Sequence, residues 1–100
     1  MSKQWKFSAK LWVYQGPAAW HFITLPGDIA EEIRFYQERK PGFGTVKVFA
    51  SLGKSHWQTA LFPDKASGSY FLPIKAAIRK EQQVKSGDKI EVSLKLKDQL

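Results

Sequence analysis

The stretch Phe71–Leu94, FLPIKAAIRKEQQVKSGDKIEVSL, predicts most of the fold. Pro73 stands where a helix can begin, because the amide hydrogen that proline lacks has no partner in a helix's first turn. A short helix is therefore predicted over residues 74–82, and Gly87 marks the turn that follows. Strict alternation of apolar and polar residues then predicts a strand over residues 90–96. The helix has one apolar stripe, formed by Ile74, Ala77 and Ile78.

The same arrangement occurs earlier in the chain. Leu25-Pro26 matches Leu72-Pro73, and each pair precedes a helix that contains Ile-Arg, at Ile33-Arg34 and at Ile78-Arg79. A turn containing glycine and an alternating apolar strand follow each helix. The sequence therefore predicts a strand–helix–strand unit that is used twice, and a pseudo-twofold axis can relate the two copies.

Alternation with a period of two predicts the remaining strands. These cover residues 6–14, 19–25, 46–52, 56–62 and 69–72, with a helix over 28–38 and a loop over 41–44. The expected fold is mostly β, of the α+β class, with a small closed or pseudo-barrel sheet of about six to eight short strands and two short helices. The expected core residues are Phe7, Leu11, Val13, Phe22, Ile33, Val46, Val48, Leu61, Leu72, Ile78, Ile90 and Val92.

Composition limits the class of protein. The chain has 100 residues, of which 43% are hydrophobic and 25% charged, so we expect one globular domain over residues 1–100. Since cysteine is absent, a disulfide scaffold, a thiol nucleophile and an iron–sulfur cluster are excluded. No apolar run approaches the ~20 residues of a membrane span, and the first ten residues lack the apolar stretch of a signal peptide. We expect a cytoplasmic protein that does not associate with membranes.

Four separated motifs carry a resemblance to a known family. In chain order they are Trp20–Pro26, Gly42–Val48, Leu61–Lys65 and Leu72–Arg79. Across nearly the whole chain the sequence resembles the bacterial and archaeal family called domain of unknown function 1905. The stretch Phe71–Leu94 also resembles the swapped-hairpin element of AbrB, MazE and MraZ proteins. The resemblance implies a double-split β-barrel built from one chain, related in fold to those proteins, and it implies no established activity.

A net charge of +7, from 16 basic and 9 acidic side chains, raises the question of nucleic-acid binding. The excess positive charge is spread along the chain. Most of the basic side chains are lysines, which recognise the edges of nucleic-acid bases less well than arginines do. The densest basic cluster could contact phosphates, although a solvated helix face is the alternative interpretation. Its members, the candidate nucleic-acid-binding residues, are Lys75, Arg79, Lys80 and Lys85.

A second set of candidates combines the two histidines with a polar turn. His21 and His56 each lie beside a tryptophan in a predicted strand, and Asp64 and Lys65 lie in the turn that Pro63 begins. If these four side chains converge on one cavity, they could bind a ligand or partner; the alternative is that they are ordinary strand and turn residues. The histidine spacing matches no metal motif and no nucleophile motif is present, so we expect no metal, no cofactor and no enzymatic activity.

The aromatic residues form a third candidate. On the strand predicted over residues 6–14, Trp12 and Tyr14 share a face with Lys6 and Lys10. Such a face could be a platform for single-stranded nucleic acid, whereas in a small barrel the alternative is that tryptophans fill the core and the barrel ends.

From the sequence we expect a small, non-enzymatic binding or interaction module, monomeric rather than an obligate dimer. Its ligand would be an unidentified protein or small molecule. The alternative is DNA or other nucleic-acid binding by analogy with the swapped-hairpin proteins, an analogy of fold and not of chemistry.

Overall fold

The computed structural model describes residues 3–37 and 45–97. These residues form seven strands and two helices. The strands are β1 Gln4–Lys10, β2 Trp12–Val13, β3 His21–Thr24, β4 Val46–Leu52, β5 Ser55–Asp64, β6 Ser69–Pro73 and β7 Lys89–Leu96. The helices are α1 Gly27–Gln37 and α2 Ala76–Gln82. The expected mostly β, α+β class is confirmed. The predicted loop over residues 41–44 and the predicted end of the first helix at Glu38 lie outside the described residues.

All seven strands belong to one antiparallel sheet in the order β1-β7-β4-β5-β6-β3-β2. The edge strands, β1 and β2, are consecutive in the chain and are separated by Leu11 alone. Because one residue spans less than 4 Å, the sheet must curl until its two edges meet at this residue. The result is a half-barrel.

Leu11 explains why the strand predicted over residues 6–14 divides into two. Its side chain is fully buried. Its amide donates to the Asp88 carbonyl over 2.8 Å, and its carbonyl accepts from the Gly87 amide over 2.7 Å. The backbone at Leu11 therefore bonds to the turn before β7, and the chain leaves β7 for the opposite edge of the sheet. Alternation continues through the break, so the sequence gives no sign of it.

The repeated strand–helix–strand order is present in the structure as β3-α1-β4 and β6-α2-β7. Corresponding strands of the two units pair with each other, β3 with β6 and β4 with β7. The second helix begins later than predicted, at Ala76, because Pro73 ends strand β6 instead of opening the helix. Ala77 is exposed as a consequence, and only Ile74 and Ile78 of the predicted stripe are buried.

The core lies inside the curl of the sheet and is closed by one buried face of each helix. Ten of the twelve expected core residues are buried, while Val13 and Phe22 are only half-buried. The error at Phe22 has a definite cause, because β3 turns its other face inward: Ile23 is fully buried and Phe22 points outward. An alternating strand has two faces, and only the packing of neighbouring strands decides which one the core takes.

Candidate ligand-binding surface

Five aromatic side chains gather on the outer side of β2, β3 and β6, and we call this set the aromatic face. Its members are Trp12, Tyr14, Trp20, Phe22 and Phe71. Register explains the gathering: Trp12 lies opposite Phe22, and Phe71 lies opposite Thr24, on the side of the sheet away from the buried Ile23. Since side chains on one face of neighbouring strands lie side by side, the pairing places these rings in contact.

The rings of the aromatic face enclose a shallow pocket of about 310 Å³. Trp12 is central, with its ring centroid 5.2 Å from that of Phe22 and 4.9 Å from that of Phe71. Trp20 stacks beside Phe22 at 6.1 Å, with only 20° between the ring planes. The indole nitrogen of Trp12 donates to Thr24 Oγ1 over 3.0 Å, which fixes the orientation of that ring. These geometries are those of favourable aromatic pairs.

Two members of the aromatic face remain largely open to solvent. Tyr14 is 57% exposed and Trp20 is 51% exposed. They lie at either end of the loop between β2 and β3, where the Tyr14 amide donates to the Trp20 carbonyl over 2.7 Å. The Tyr14 ring covers Gly16, since a Cβ at that position would lie 2.8 Å from its ring carbon Cε2. A cluster of exposed aromatic rings of this kind is typical of a binding surface.

Beside the aromatic face lies a second pocket, of about 260 Å³, which we call the basic pocket. Its polar side chains are His21, Lys75 and Arg79, and Trp20 lines both this pocket and the aromatic face. Neither Lys75 nor Arg79 forms an ion pair with any described carboxylate. Their charges are therefore available to an anion in the pocket.

Hydrogen bonds orient the two best-fixed groups of the basic pocket. His21 Nδ1 lies 2.8 Å from the Ala19 carbonyl oxygen; because a carbonyl only accepts, this nitrogen carries the hydrogen. In a neutral imidazole Nε2 is then an acceptor, and it lies 3.5 Å from Arg79 Nη1. Arg79 Nε donates to the Ile74 carbonyl over 3.1 Å. The guanidinium is thus held at two of its nitrogens against the rim of the pocket.

The structure groups the basic-cluster and histidine–turn candidates differently from the sequence analysis. His21, Lys75 and Arg79 come together in the basic pocket, although the sequence placed His21 in a different set. Lys80 is exposed on α2, outside the pocket lining. Lys85 forms an ion pair with Asp88 over 3.6 Å.

His21 and His56 line different pockets, and neither Asp64 nor Lys65 lines either of them. His56 lies in the β4–β5 hairpin, where its Nδ1 is 2.9 Å from Ser51 Oγ, and it lines a separate, open depression. Asp64 closes its own turn: its carboxylate accepts from the Ala66 amide over 3.3 Å and from Ser67 Oγ over 2.6 Å. Turn chemistry, the alternative interpretation, accounts for Asp64.

The platform proposed for Trp12, Tyr14, Lys6 and Lys10 is also corrected. The break at Leu11 leaves both lysines on β1, paired with β7, and Lys6 forms an ion pair with Glu91 over 3.7 Å. The tryptophans divide as well, because Trp5 and Trp57 are buried whereas Trp12 and Trp20 belong to the aromatic face.

Sequence reasoning missed Trp20, Phe22 and Phe71 as surface residues. A signal was present, since Trp20, Phe22 and Thr24 alternate along one strand and leave the aliphatic Ile23 for the other face.

No cluster of three metal-ligating side chains occurs within residues 3–37 and 45–97. In the same part of the chain, no helix is long and apolar enough to cross a membrane. What the surface offers chemically is stacking on flat rings next to fixed positive charge.

Comparison with protein families gives a match. The model of a family described as "Domain of unknown function (DUF1905)" matches residues 7–94, most of the chain and all of the strands β2 to β6. No curated protein shows a significant match.

Proposed function

The chain belongs to the DUF1905 family, whose description assigns no activity, and we propose from its surface chemistry that it is a non-enzymatic binding module. The ligand site is the aromatic face together with the basic pocket. One observation carries this proposal: Trp20, half-exposed, lines both pockets and so joins an apolar surface to a charged one. Binding sites generally combine a mostly apolar lining with a few fixed polar groups.

The chemistry around the histidines supports binding over catalysis. His21 presents Nε2 to a guanidinium, which has no proton to give up at neutral pH and is no nucleophile. His56 contacts Ser51 Oγ, but no described carboxylate hydrogen-bonds to His56 as an orienting third group. A serine nucleophile normally needs both a base and a group that orients the base.

An NMR screen with small-molecule fragments tests the proposal. The four tryptophans provide separate indole N–H signals, two on the aromatic face (Trp12, Trp20) and two in the core (Trp5, Trp57). We expect fragments with aromatic rings, and anionic aromatic ones above all, to shift the signals of Trp12 and Trp20. The signals of Trp5 and Trp57 serve as internal controls. Fragments that cluster instead around His56, or scatter over the surface, would contradict the proposal.

A second candidate function is duplex DNA binding through Lys75, Arg79, Lys80 and Lys85, in the manner of the swapped-hairpin proteins. The duplicated strand–helix–strand unit, with β3 paired to β6 and β4 paired to β7, supports it by analogy of fold alone. Four phosphate contacts would give a log–log salt slope of about −3.6. We expect only weak duplex binding that disappears at physiological salt. Tight binding there, lost when the four charges are removed, would favour this second candidate.

We further propose that the module acts as a monomer in the cytoplasm. Sedimentation equilibrium measures the oligomeric state and so tests the proposal of a monomer. A dimer formed through the aromatic face would cover the site and would contradict it.

A further inference from the structure

We infer that the ligand of this surface is single-stranded nucleic acid, with bases stacked on the aromatic face and a backbone phosphate in the basic pocket. The inference rests on the proposed binding function and adds its ligand class. Flat rings that are open to solvent can stack on flat partners, and a single strand combines unpaired flat bases with negatively charged phosphates at regular spacing.

The size of the surface favours a strand over a free nucleotide. Phe62 lies opposite Phe71 and is 39% exposed, so it extends the aromatic surface onto β5. The rings then cover four neighbouring strands in the order β5-β6-β3-β2. Since neighbouring strands lie about 4.8 Å apart, the surface is about 14 Å wide, more than one base can cover.

Positive side chains lie at both ends of the aromatic surface. Lys75 and Arg79 lie at the Trp20 end of the surface, where a phosphate attached to a base on Trp20 would meet them. At the opposite end Asp64 follows Phe62 by two residues, and its carboxylate is occupied by its own turn. Lys65 is exposed in that same turn, so a strand meets the basic pocket at one end of the surface and Lys65 at the other. The same complementarity disfavours a second copy of this chain, because its net charge is also +7.

The arrangement also disfavours duplex DNA as the ligand of this surface. In a duplex the base faces are stacked on each other and hidden from the protein. Stacking on Trp20 or Trp12 needs bases that are already unpaired. Binding should therefore distinguish single strands from duplexes of the same sequence.

Fluorescence anisotropy tests the inference with the full chain and a labelled mixed-sequence oligonucleotide of about ten nucleotides, within the range of single-strand site sizes. Duplex DNA of the same sequence and a labelled mononucleotide are the comparison ligands. We expect the single strand to bind more tightly than both at physiological salt. Because loss of one base stack costs about 1–3 kcal/mol, Trp20→Ala should weaken binding about 5- to 150-fold, and Trp20→Phe should restore most of it.

The charges are tested by salt dependence. Each phosphate contact on a single strand contributes about −0.7 to the log–log salt slope. Because Lys75 and Arg79 face the same phosphate, the double variant Lys75→Gln/Arg79→Gln should reduce the magnitude of the slope by about 0.7. Matched control variants come from the surface near His56, where Phe49 is 40% exposed and Lys95 lies beside it. Phe49→Ala should leave affinity unchanged, and Lys95→Gln should leave the slope unchanged. Thermal unfolding of every variant separates a loss of binding from a loss of fold.

Several outcomes would overturn the inference. They are equal affinity for single strand and duplex, equal affinity for mononucleotide and oligonucleotide, or equal effects of Trp20→Ala and Phe49→Ala. Single-strand binding weaker than about 10⁻⁴ M, the weak end of non-specific electrostatic binding, would also overturn it. If fragments still shift the signals of Trp12 and Trp20 in that case, the binding function stands and only the ligand class is wrong. If they do not, both fall.

Discussion

Glu32 on α1 shows how one carboxylate ties the helix to the start of the chain. Its Oε2 accepts from Lys3 Nζ over 3.1 Å and from Trp5 Nε1 over 3.3 Å. The hydrogen bond from Lys3, followed by that from Trp5, lowers the pKa of Glu32 below its ordinary value. We expect Lys3→Gln to raise the pKa of this carboxyl more than Trp5→Phe does. Titration of its carboxyl carbon by NMR measures both shifts.

The lowered pKa of Glu32 also determines how the free energy of unfolding changes with pH. A carboxyl whose pKa is lower in the folded state stabilises it fully above the unfolded pKa, and that contribution is lost as pH falls through the folded pKa. Glu32→Gln should therefore flatten the acid side of the stability–pH curve and leave the neutral side parallel to the original. An acid limb of unchanged slope in urea unfolding would contradict this assignment.

Gly53 has a backbone conformation that L side chains rarely adopt. It has φ of +59° in the β4–β5 turn, and a Cβ there would collide with the side-chain amide of Gln82. That amide donates to Ser55 Oγ over 2.9 Å, a bond that ties α2 to the hairpin. We expect Gly53→Ala to lower the free energy of unfolding by about 1–3 kcal/mol. Urea unfolding measures the change.

Gly27 provides the control for Gly53. A Cβ at Gly27 would have no heavy atom within 4 Å, and its φ is not in the left-handed region. Gly27→Ala should change stability by less than about 0.5 kcal/mol. A similar loss in both variants would mean that neither the positive φ nor the Gln82 contact matters at Gly53.

At the scale of the element, strand β3 has two faces with different roles. Ile23 is fully buried opposite Leu72, whereas Trp20, just before the strand, is half-exposed. Ile23→Ala should lower the free energy of unfolding by about 2–5 kcal/mol, because it leaves a cavity in the core. Trp20→Ala should cost far less, about 0.5 kcal/mol, as is usual for exposed positions. Equal losses in chemical denaturation would show that the aromatic face serves stability and not binding.

Helix α2 shows how strand pairing determines where a neighbouring helix begins. The apolar spacing of Ile74 and Ile78 correctly predicted a short helix, yet the helix begins at Ala76. Its start is delayed because β6 continues through Pro73 in its pairing with β3, where Pro73 lies opposite Phe22. Pairing between distant strands overrides a local preference for a helix start.

For the whole molecule, the meeting of both sheet edges at Leu11 predicts cooperative unfolding. Trp12 and Trp20 report on the β2–β3 edge, Trp5 reports on the other edge, at β1, and Trp57 reports on the middle strand, β5. Because one curled sheet and one core join these regions, we expect a single domain and a single transition. Far-UV circular dichroism and tryptophan fluorescence should give coincident thermal curves. Two separate transitions would contradict the single-domain expectation.

How far the sequence predicts this molecule depends on whether a feature is local. Alternation located β4, β5 and β7 to within a few residues, and the Leu-Pro and Ile-Arg repeats indicated the duplicated unit. The break at Leu11 was not predictable, because it is produced by hydrogen bonds to Gly87 and Asp88, far away in the chain. The separation of His21 from His56 and Asp64 has the same origin, because alternation does not show which strands are neighbours.

Residue type and short-range spacing are enough to predict the strand periods, the two helices, the duplicated unit and the family. Packing in the folded chain selects which face of β3 becomes part of the core and which becomes part of the aromatic face. It alone brought His21 beside Arg79, 58 residues later in the chain. The physical reason is that a strand's alternation is symmetric between its faces, and only the pairing of β2, β3 and β6 breaks that symmetry.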